Sequence, residues 1–136
     1  MPPEPDVKRT IMVVDDDPDI VEMTRMVLEQ DGYRVHPARS GPEALSCIEQ
    51  ARPDLVLLDI NMPEMDGWQV LRALKIDART TAIPVAMFSI KMQVRDKLLG
   101  AREGACGFIT KPFSCDELLL GVRRILDTLD RRTAGA

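Results

Sequence analysis

The sequence predicts an α/β fold in which a five-stranded parallel sheet lies between two layers of helices. Five short strand-like runs alternate with five longer segments whose apolar residues recur at helical spacing. The most apolar runs lack the alternating polar residues of a half-exposed strand, which is typical of strands buried on both faces. At 136 residues, of which 45% are hydrophobic and 29% charged, the chain is large enough for one domain with a sizeable core.

The chain begins with a strand and a well-marked helix. The apolar run Ile11-Met12-Val13-Val14 predicts the first strand. Asp17 before Pro18 predicts a helix start, because aspartate is a good N-cap and proline fits the first helical position. A stripe of apolar side chains follows, and Asp31-Gly32 ends the helix.

The middle of the chain contains the most strongly apolar strand. Residues 33–36 predict a short second strand, and Ser40 opens a second helix that ends before Pro53. Leu55-Val56-Leu57-Leu58 then predicts a buried third strand, which ends abruptly in Asp59. A loop with Pro and Gly follows, and a third helix is predicted from Gly67 to about Ile76.

The last part of the chain predicts two more strands, each followed by a helix. Pro84 introduces the fourth strand, Val85 to Phe88, and residues 91–103 form a more polar helix. Residues 106–110 predict the fifth strand. Ser114 and Glu117 have the spacing of a capping box, and they open a final helix with apolar residues at helical spacing.

These elements predict one domain at residues 10–130, with a flexible lead-in at 1–9 and a disordered tail at 131–136. The net charge of −4 does not favour direct binding to nucleic acid. No apolar run approaches the length of a membrane span, and the three cysteines lack CxxC spacing. We therefore expect a cytoplasmic domain with no membrane contact.

Reactive side chains follow four of the five predicted strands. Asp15 and Asp16 end the first strand, Asp59 the third, Ser89 the fourth and Lys111 the fifth. Right-handed crossover connections bring the carboxyl ends of parallel strands to the same edge of the sheet. In open α/β sheets this is the edge at which ligands bind. We therefore expect these five side chains to lie close together.

The chemistry of this set indicates a divalent cation and a phosphoryl group. Three neighbouring carboxylates repel one another without a cation, and hard oxygen ligands suit Mg²⁺, or alternatively Mn²⁺, better than zinc. Lys111 and Ser89 would complement an anion with several oxygens. Asp59 is a nucleophile of the type that forms aspartyl phosphates.

The whole chain resembles the receiver domain of two-component response regulators, and it is similar to the chemotaxis response regulator of that family. This family has a flavodoxin-like, doubly wound (βα)5 fold with strand order 2-1-3-4-5. Four segments carry the resemblance in the expected order: Val13-Val14-Asp15-Asp16, Leu57-Leu58-Asp59-Ile60-Asn61-Met62-Pro63-Glu64-Met65-Asp66-Gly67, Pro84-Val85-Ala86-Met87-Phe88-Ser89 and Phe108-Ile109-Thr110-Lys111-Pro112-Phe113.

The resemblance implies a role for each acid in the predicted site. Asp59 would accept a phosphoryl group from the phosphohistidine of a sensor histidine kinase or of a histidine phosphotransfer protein. Asp16, Asp59 and the backbone carbonyl of Asn61 would bind Mg²⁺ directly, and Asp15 would act through water.

It also implies how the site would signal. Lys111 would pair with the phosphoryl oxygens, and the bond from Lys111 to Pro112 would be a cis peptide. Ser89 would move towards the phosphorylated site, and Phe108 would turn inwards behind it. The face formed by helix four, strand five and helix five would then change towards a downstream protein or a fused output domain, or would form a homodimer.

One residue departs from the pattern of the family, and other functions stay open. Ile90 follows the switch hydroxyl at a position that is usually small, so it would restrict the access of small phosphodonors or of a phosphatase. A phosphohydrolase with an aspartyl phosphate would need a second acid at Asn61, and a nucleotide or flavin binder would need a phosphate-binding loop. A receiver-like module that works without phosphorylation is a further alternative. The sequence leaves open whether the protein is a single-domain regulator or part of a longer chain.

Overall fold

The computed structural model describes residues 8–90, 93–111 and 114–134. It contains five strands and five helices in strict alternation. In chain order they are β1 (Thr10–Val14), α1 (Pro18–Gln30), β2 (Arg34–Ala38), α2 (Gly41–Ala51), β3 (Leu55–Leu58), α3 (Gly67–Ile76), β4 (Val85–Ile90), α4 (Val94–Arg102), β5 (Gly107–Lys111) and α5 (Cys115–Ala134).

The strands form one parallel sheet in the order β2-β1-β3-β4-β5, which confirms the predicted flavodoxin-like topology. β3 lies at the centre of the sheet, paired with β1 on one side and β4 on the other. All four residues of β3 are fully buried, as expected for an apolar strand covered on both faces.

Alternating side chains of the strands divide the core into two layers. On one face, residues such as Met12, Val56 and Met87 pack against α2 and α3. On the other face, residues such as Leu57 and Phe88 pack against α1 and α5. Period-two alternation thus fixes which helices each strand residue touches, including the residues just beyond the strand ends.

Several element boundaries differ from those predicted. β2 runs through Pro37, where the sequence predicted that the strand had ended at 36; β2 is an edge strand, which tolerates a proline because one side of it needs no ladder hydrogen bonds. β4 continues two residues beyond Phe88, and β5 begins at Gly107 and includes Lys111. Ser89 and Lys111 are therefore paired strand residues rather than loop residues.

Some residues on either side of the predicted domain belong to the described structure. α5 continues to Ala134, so residues 131–134 are helical although the sequence predicted a disordered tail from 131. Arg9, placed in the predicted lead-in, forms an ion pair of 2.6 Å with Asp130 of α5. Residues 1–7 of the predicted lead-in lie outside the described residues, as do 135–136.

Candidate functional site

Asp15 and Asp59 are held at the carboxyl edge by the hydrogen bonds of the sheet. The backbone N–H of Asp59 donates to the carbonyl of Val14 at 2.9 Å, and that of Asp15 donates to Ala38 at 3.1 Å. Both residues are buried: Asp59 is 5% exposed and Asp15 is 1% exposed. Their positions are therefore set by the ladder itself, one residue beyond the last strand residue.

The loop after Asp59 is closed tightly against α3. The N–H of Gly67 donates to the carbonyl of Ile60 at 2.8 Å, and a Cβ at Gly67 would collide with the carbonyl oxygen of Asp59 and lie 2.8 Å from Ile60 Cα. The carboxylate of Asp66 caps α3 by accepting from the N–H of Gln69, whose side chain accepts from Asp66 in return. The predicted turn and helix start at 66–67 are thus confirmed, and they fix the backbone beside Asp59.

Lys111 lies between the two buried acids at the end of β5. Its ammonium donates to Asp15 Oδ2, and its Nζ is 3.7 Å from Asp59 Oδ1. Nζ also lies 4.8 Å from the centre of the Phe88 ring, a cation–π contact that the sequence did not predict. Lys111 is only 7% exposed, so these groups replace water around its charge.

The carboxylates carry more negative charge than Lys111 neutralises. Ligand oxygens of Asp15, Asp16 and Asp59 all lie within 4.8 Å of one another. Burial raises the pKa of Asp59 to about 6, and repulsion by Asp15 and Asp16 adds to the effect against the opposing influence of Lys111. Three carboxylate oxygens at this spacing fit a hard divalent cation. The cation would also relieve the repulsion between Asp59 and the two neighbouring carboxylates.

A cleft of about 550 Å³ opens above these groups. It brings together all of the residues predicted at the strand ends and adds Asn61, whose side chain is exposed. Ser89 is buried, whereas Ile90 is 56% exposed and also lines the cleft. Ile20 of α1 lines the cleft too, and it also packs against the core layer that contains Phe88.

The structure also places Asp17 and Phe108, two other residues that the sequence singles out. Asp17 caps α1 by accepting from the N–H of Asp19 at 2.9 Å, as predicted, and its side chain also borders the cleft. Phe108 lies on β5, half-buried, and packs against the same core layer as Met87 rather than in the cleft. The predicted cis peptide involves Pro112, which lies outside the described residues together with Phe113.

Fold and site together define an α/β domain of the flavodoxin-like class with an acidic, lysine-containing site at the carboxyl edge of its sheet. The chain belongs to the response regulator receiver domain family, whose family model matches residues 11–123. Members of this family are signalling domains of two-component response regulators.

Curated relatives include proteins of two lengths. The chain is 40% identical over 121 residues to the DNA-binding dual master transcriptional regulator RpaA of Synechocystis, covering 89% of this chain and 50% of that protein. It is 39% identical over 116 residues to protein PilH of Pseudomonas aeruginosa, covering 85% of this chain and 96% of that protein. The chain thus spans about half the length of the relatives named as DNA-binding.

Solved structures give the same assignment. The chemotaxis protein CheY4 of Vibrio cholerae superposes with a TM-score of 0.83 at 31% identity, covering 88% of this chain and 99% of that one. The receiver domain of NtrX from Brucella abortus gives a TM-score of 0.78 at 34% identity, covering 87% and 98% of the two chains. Within the described residues, no helix has the length and apolar character needed to cross a membrane.

Proposed function

We propose that this domain accepts a phosphoryl group on Asp59 from the phosphohistidine of a sensor histidine kinase or a histidine phosphotransfer protein. The observation that carries the proposal is the position of the Asp59 carboxylate, which lines an open cleft 3.7 Å from the only buried ammonium group among the described residues. An anion that reaches Asp59 would find Lys111 and Ser89 lining the same cleft, the one with an ammonium group and the other with a hydroxyl.

Mg²⁺ fits the donor set of this site, and Mn²⁺ is the alternative. Asp16, Asp59 and the backbone carbonyl of Asn61 would hold the ion directly, and Asp15 would act through water because Lys111 already occupies one of its oxygens. When bound, the ion would oppose the burial and the neighbouring carboxylates that raise the pKa of Asp59, and would offset the charge of the incoming phosphoryl oxygens.

In the transfer step, an oxygen of ionised Asp59 forms the new bond to phosphorus while the bond from phosphorus to the imidazole nitrogen of the donor breaks. The electron pair of that bond leaves with the imidazole. Lys111 pairs with a phosphoryl oxygen, and the Ser89 hydroxyl donates a hydrogen bond to another. Hydrolysis of the acyl phosphate later restores the free carboxylate.

Phosphorylation would act on partners by shifting a population between two packings. Ser89 and Phe108 share one face of the sheet. Val94 and Leu98 on α4 and Leu120 on α5 are exposed apolar side chains. The face formed by α4, β5 and α5 would bind a downstream protein, a fused output domain or a second copy of the chain. The expectation of no direct nucleic-acid contact applies to this chain's own residues, and a cytoplasmic location is part of the proposal.

The test is incubation with acetyl phosphate and Mg²⁺, followed by intact mass measurement. Wild-type protein should gain one phosphoryl group, and Asp59→Ala should gain none. Asp127→Ala removes an exposed carboxylate from α5 and should behave as wild type. If the wild type stays unmodified, phosphorylated histidine kinases are tried as donors. An adduct that persists in Asp59→Ala would refute the assignment of the acceptor.

A further inference from the structure

The helix α4 is anchored to the rest of the domain in an unusual way. Its only buried residue is Gly100, while Val94 and Leu98 on the same helix are 74% and 67% exposed. Most helices of this domain bury three or four residues against the sheet. The position of α4 therefore depends mainly on the side chain that Gly100 contacts.

The ring of Phe108 lies beneath that glycine. A Cβ at Gly100 would be 2.7 Å from Cε1 of Phe108, a distance that real Cβ atoms essentially never show, and a tight 3.0 Å from Cζ. The next neighbour, Ala105 Cβ, would be at an ordinary 3.6 Å. The backbone of α4 thus rests directly on the aromatic ring. A glycine inside a helix weakens it relative to alanine, so the close contact gives a physical reason for its presence here.

Phe108 is also close to the phosphorylation site through the sheet. It pairs with Met87 on β4, and Ser89 pairs with Thr110 one step further along the same face of the two strands. Phe108 and Ser89 therefore lie on the same face of neighbouring strands, and the Phe108 ring contacts α4 at Gly100. Any movement of the ring changes the surface on which α4 rests.

We propose that Gly100 is a positioning residue: it forms a seat for the Phe108 ring, through which the ring sets the position of α4. This inference rests on the proposed function for what drives the ring, but the seat itself is present in the unphosphorylated domain. A side chain at residue 100 would push the ring and the helix apart and would disconnect α4 from the site at Asp59.

The first test compares wild type and Gly100→Ala without any phosphoryl group. Protein labelled with 4-fluorophenylalanine gives one fluorine signal for each of its three phenylalanines, and Phe108→Leu identifies the signal of Phe108. In Gly100→Ala we expect that signal to move, and amide exchange in α4 to become at least about threefold faster. Gly121→Ala is the matched control, because its Cβ would meet the flexible end of Ile109 at 3.2 Å.

A double variant distinguishes a clash with the Phe108 ring from a loss of α4 stability that does not involve the ring. Leucine at 108 lacks the two ring atoms that the new Cβ would strike, so adding Gly100→Ala to Phe108→Leu should not make α4 exchange faster than in Phe108→Leu alone. Unchanged signal and exchange in Gly100→Ala, or the same acceleration by Gly100→Ala in both backgrounds, would overturn the seat.

The second test adds beryllium fluoride, a phosphoryl mimic, together with Mg²⁺. In wild type both the Phe108 signal and α4 exchange should change on binding, and in Gly100→Ala the α4 response should fall at least about threefold. An equal α4 response in both proteins would overturn the coupling. If beryllium fluoride binds neither protein, the proposed function fails, while the comparison of the unliganded proteins still decides the seat.

Discussion

Replacing Asp59 with asparagine should stabilise the metal-free domain at neutral pH. Burial and the neighbouring carboxylates raise the pKa of Asp59 from 3.8 to about 6, so the folded state binds this proton more tightly than the unfolded state does. Above pH 6 that difference corresponds to about 3 kcal/mol of free energy that opposes folding. An amide at the same place carries no charge but still has to be desolvated, so we expect Asp59→Asn to gain about 1–3 kcal/mol.

The stability gained by Asp59→Asn should depend on pH. The penalty on ionised Asp59 is fully present above its folded pKa of about 6 and disappears as the pH falls towards 3.8. The difference between variant and wild type should therefore be largest near pH 7.5 and small near pH 4. Urea unfolding in EDTA measures it, and a gain of this size moves the midpoint by about 1 M.

Magnesium and a control variant complete the experiment. Mg²⁺ should stabilise the wild type more than Asp59→Asn, because binding to the folded state alone adds to stability and the variant lacks one ligand. Asp127→Asn on the exposed side of α5 should change the midpoint little at either pH. A variant no more stable than wild type at pH 7.5 in EDTA would refute the electrostatic account of the site.

Three further predictions concern residues around the site and in the core. Ile90→Ala should change the rate of phosphorylation by acetyl phosphate or the rate of phosphoryl loss, because Ile90 is exposed in the cleft; unchanged rates in a time course of intact mass would reject a gating role. Gly67→Ala should destabilise the domain by about 2 kcal/mol or more in urea, since the new Cβ strikes the backbone of Asp59, and wild-type stability would contradict this contact. Thr24→Val should stabilise by about 1 kcal/mol, because Thr24 Oγ1 is buried and has no partner within the described residues; a loss of stability would indicate a hidden partner.

The sequence predicts the carboxyl-edge site well because each of its acids follows a strand at a fixed point. Asp15 and Asp59 end apolar runs, and parallel pairing alone brings them together. The contact between Lys111 and Phe88 was not foreseen, since it depends on which face of the sheet each side chain occupies at a strand end whose boundary was set one residue short. The end of β2 was predicted too early for a similar reason. Proline is tolerated in an edge strand, and only the order of the strands in the sheet shows that β2 is an edge strand.

The contact between Gly100 and the Phe108 ring could not be predicted from the sequence, for a different reason. Helical periodicity treats a glycine as a weak point, and nothing in the spacing of residues 94–102 indicates an aromatic ring beneath it. Contacts between an element's backbone and a distant side chain depend on how closely two elements approach, which pattern analysis does not measure. Such contacts are visible only once the coordinates are known.

Lys111 offsets only part of the charge of the three carboxylates around it, and this excess has a consequence for the order in which ligands would bind in the cleft. Three carboxylates and one ammonium leave a formal charge of −2, so an anionic donor is repelled while these groups face it alone. A bound divalent cation would cancel that charge. On the proposed function, the metal would therefore have to bind before the phosphoryl donor, and the metal-free domain would bind other cellular phosphates poorly.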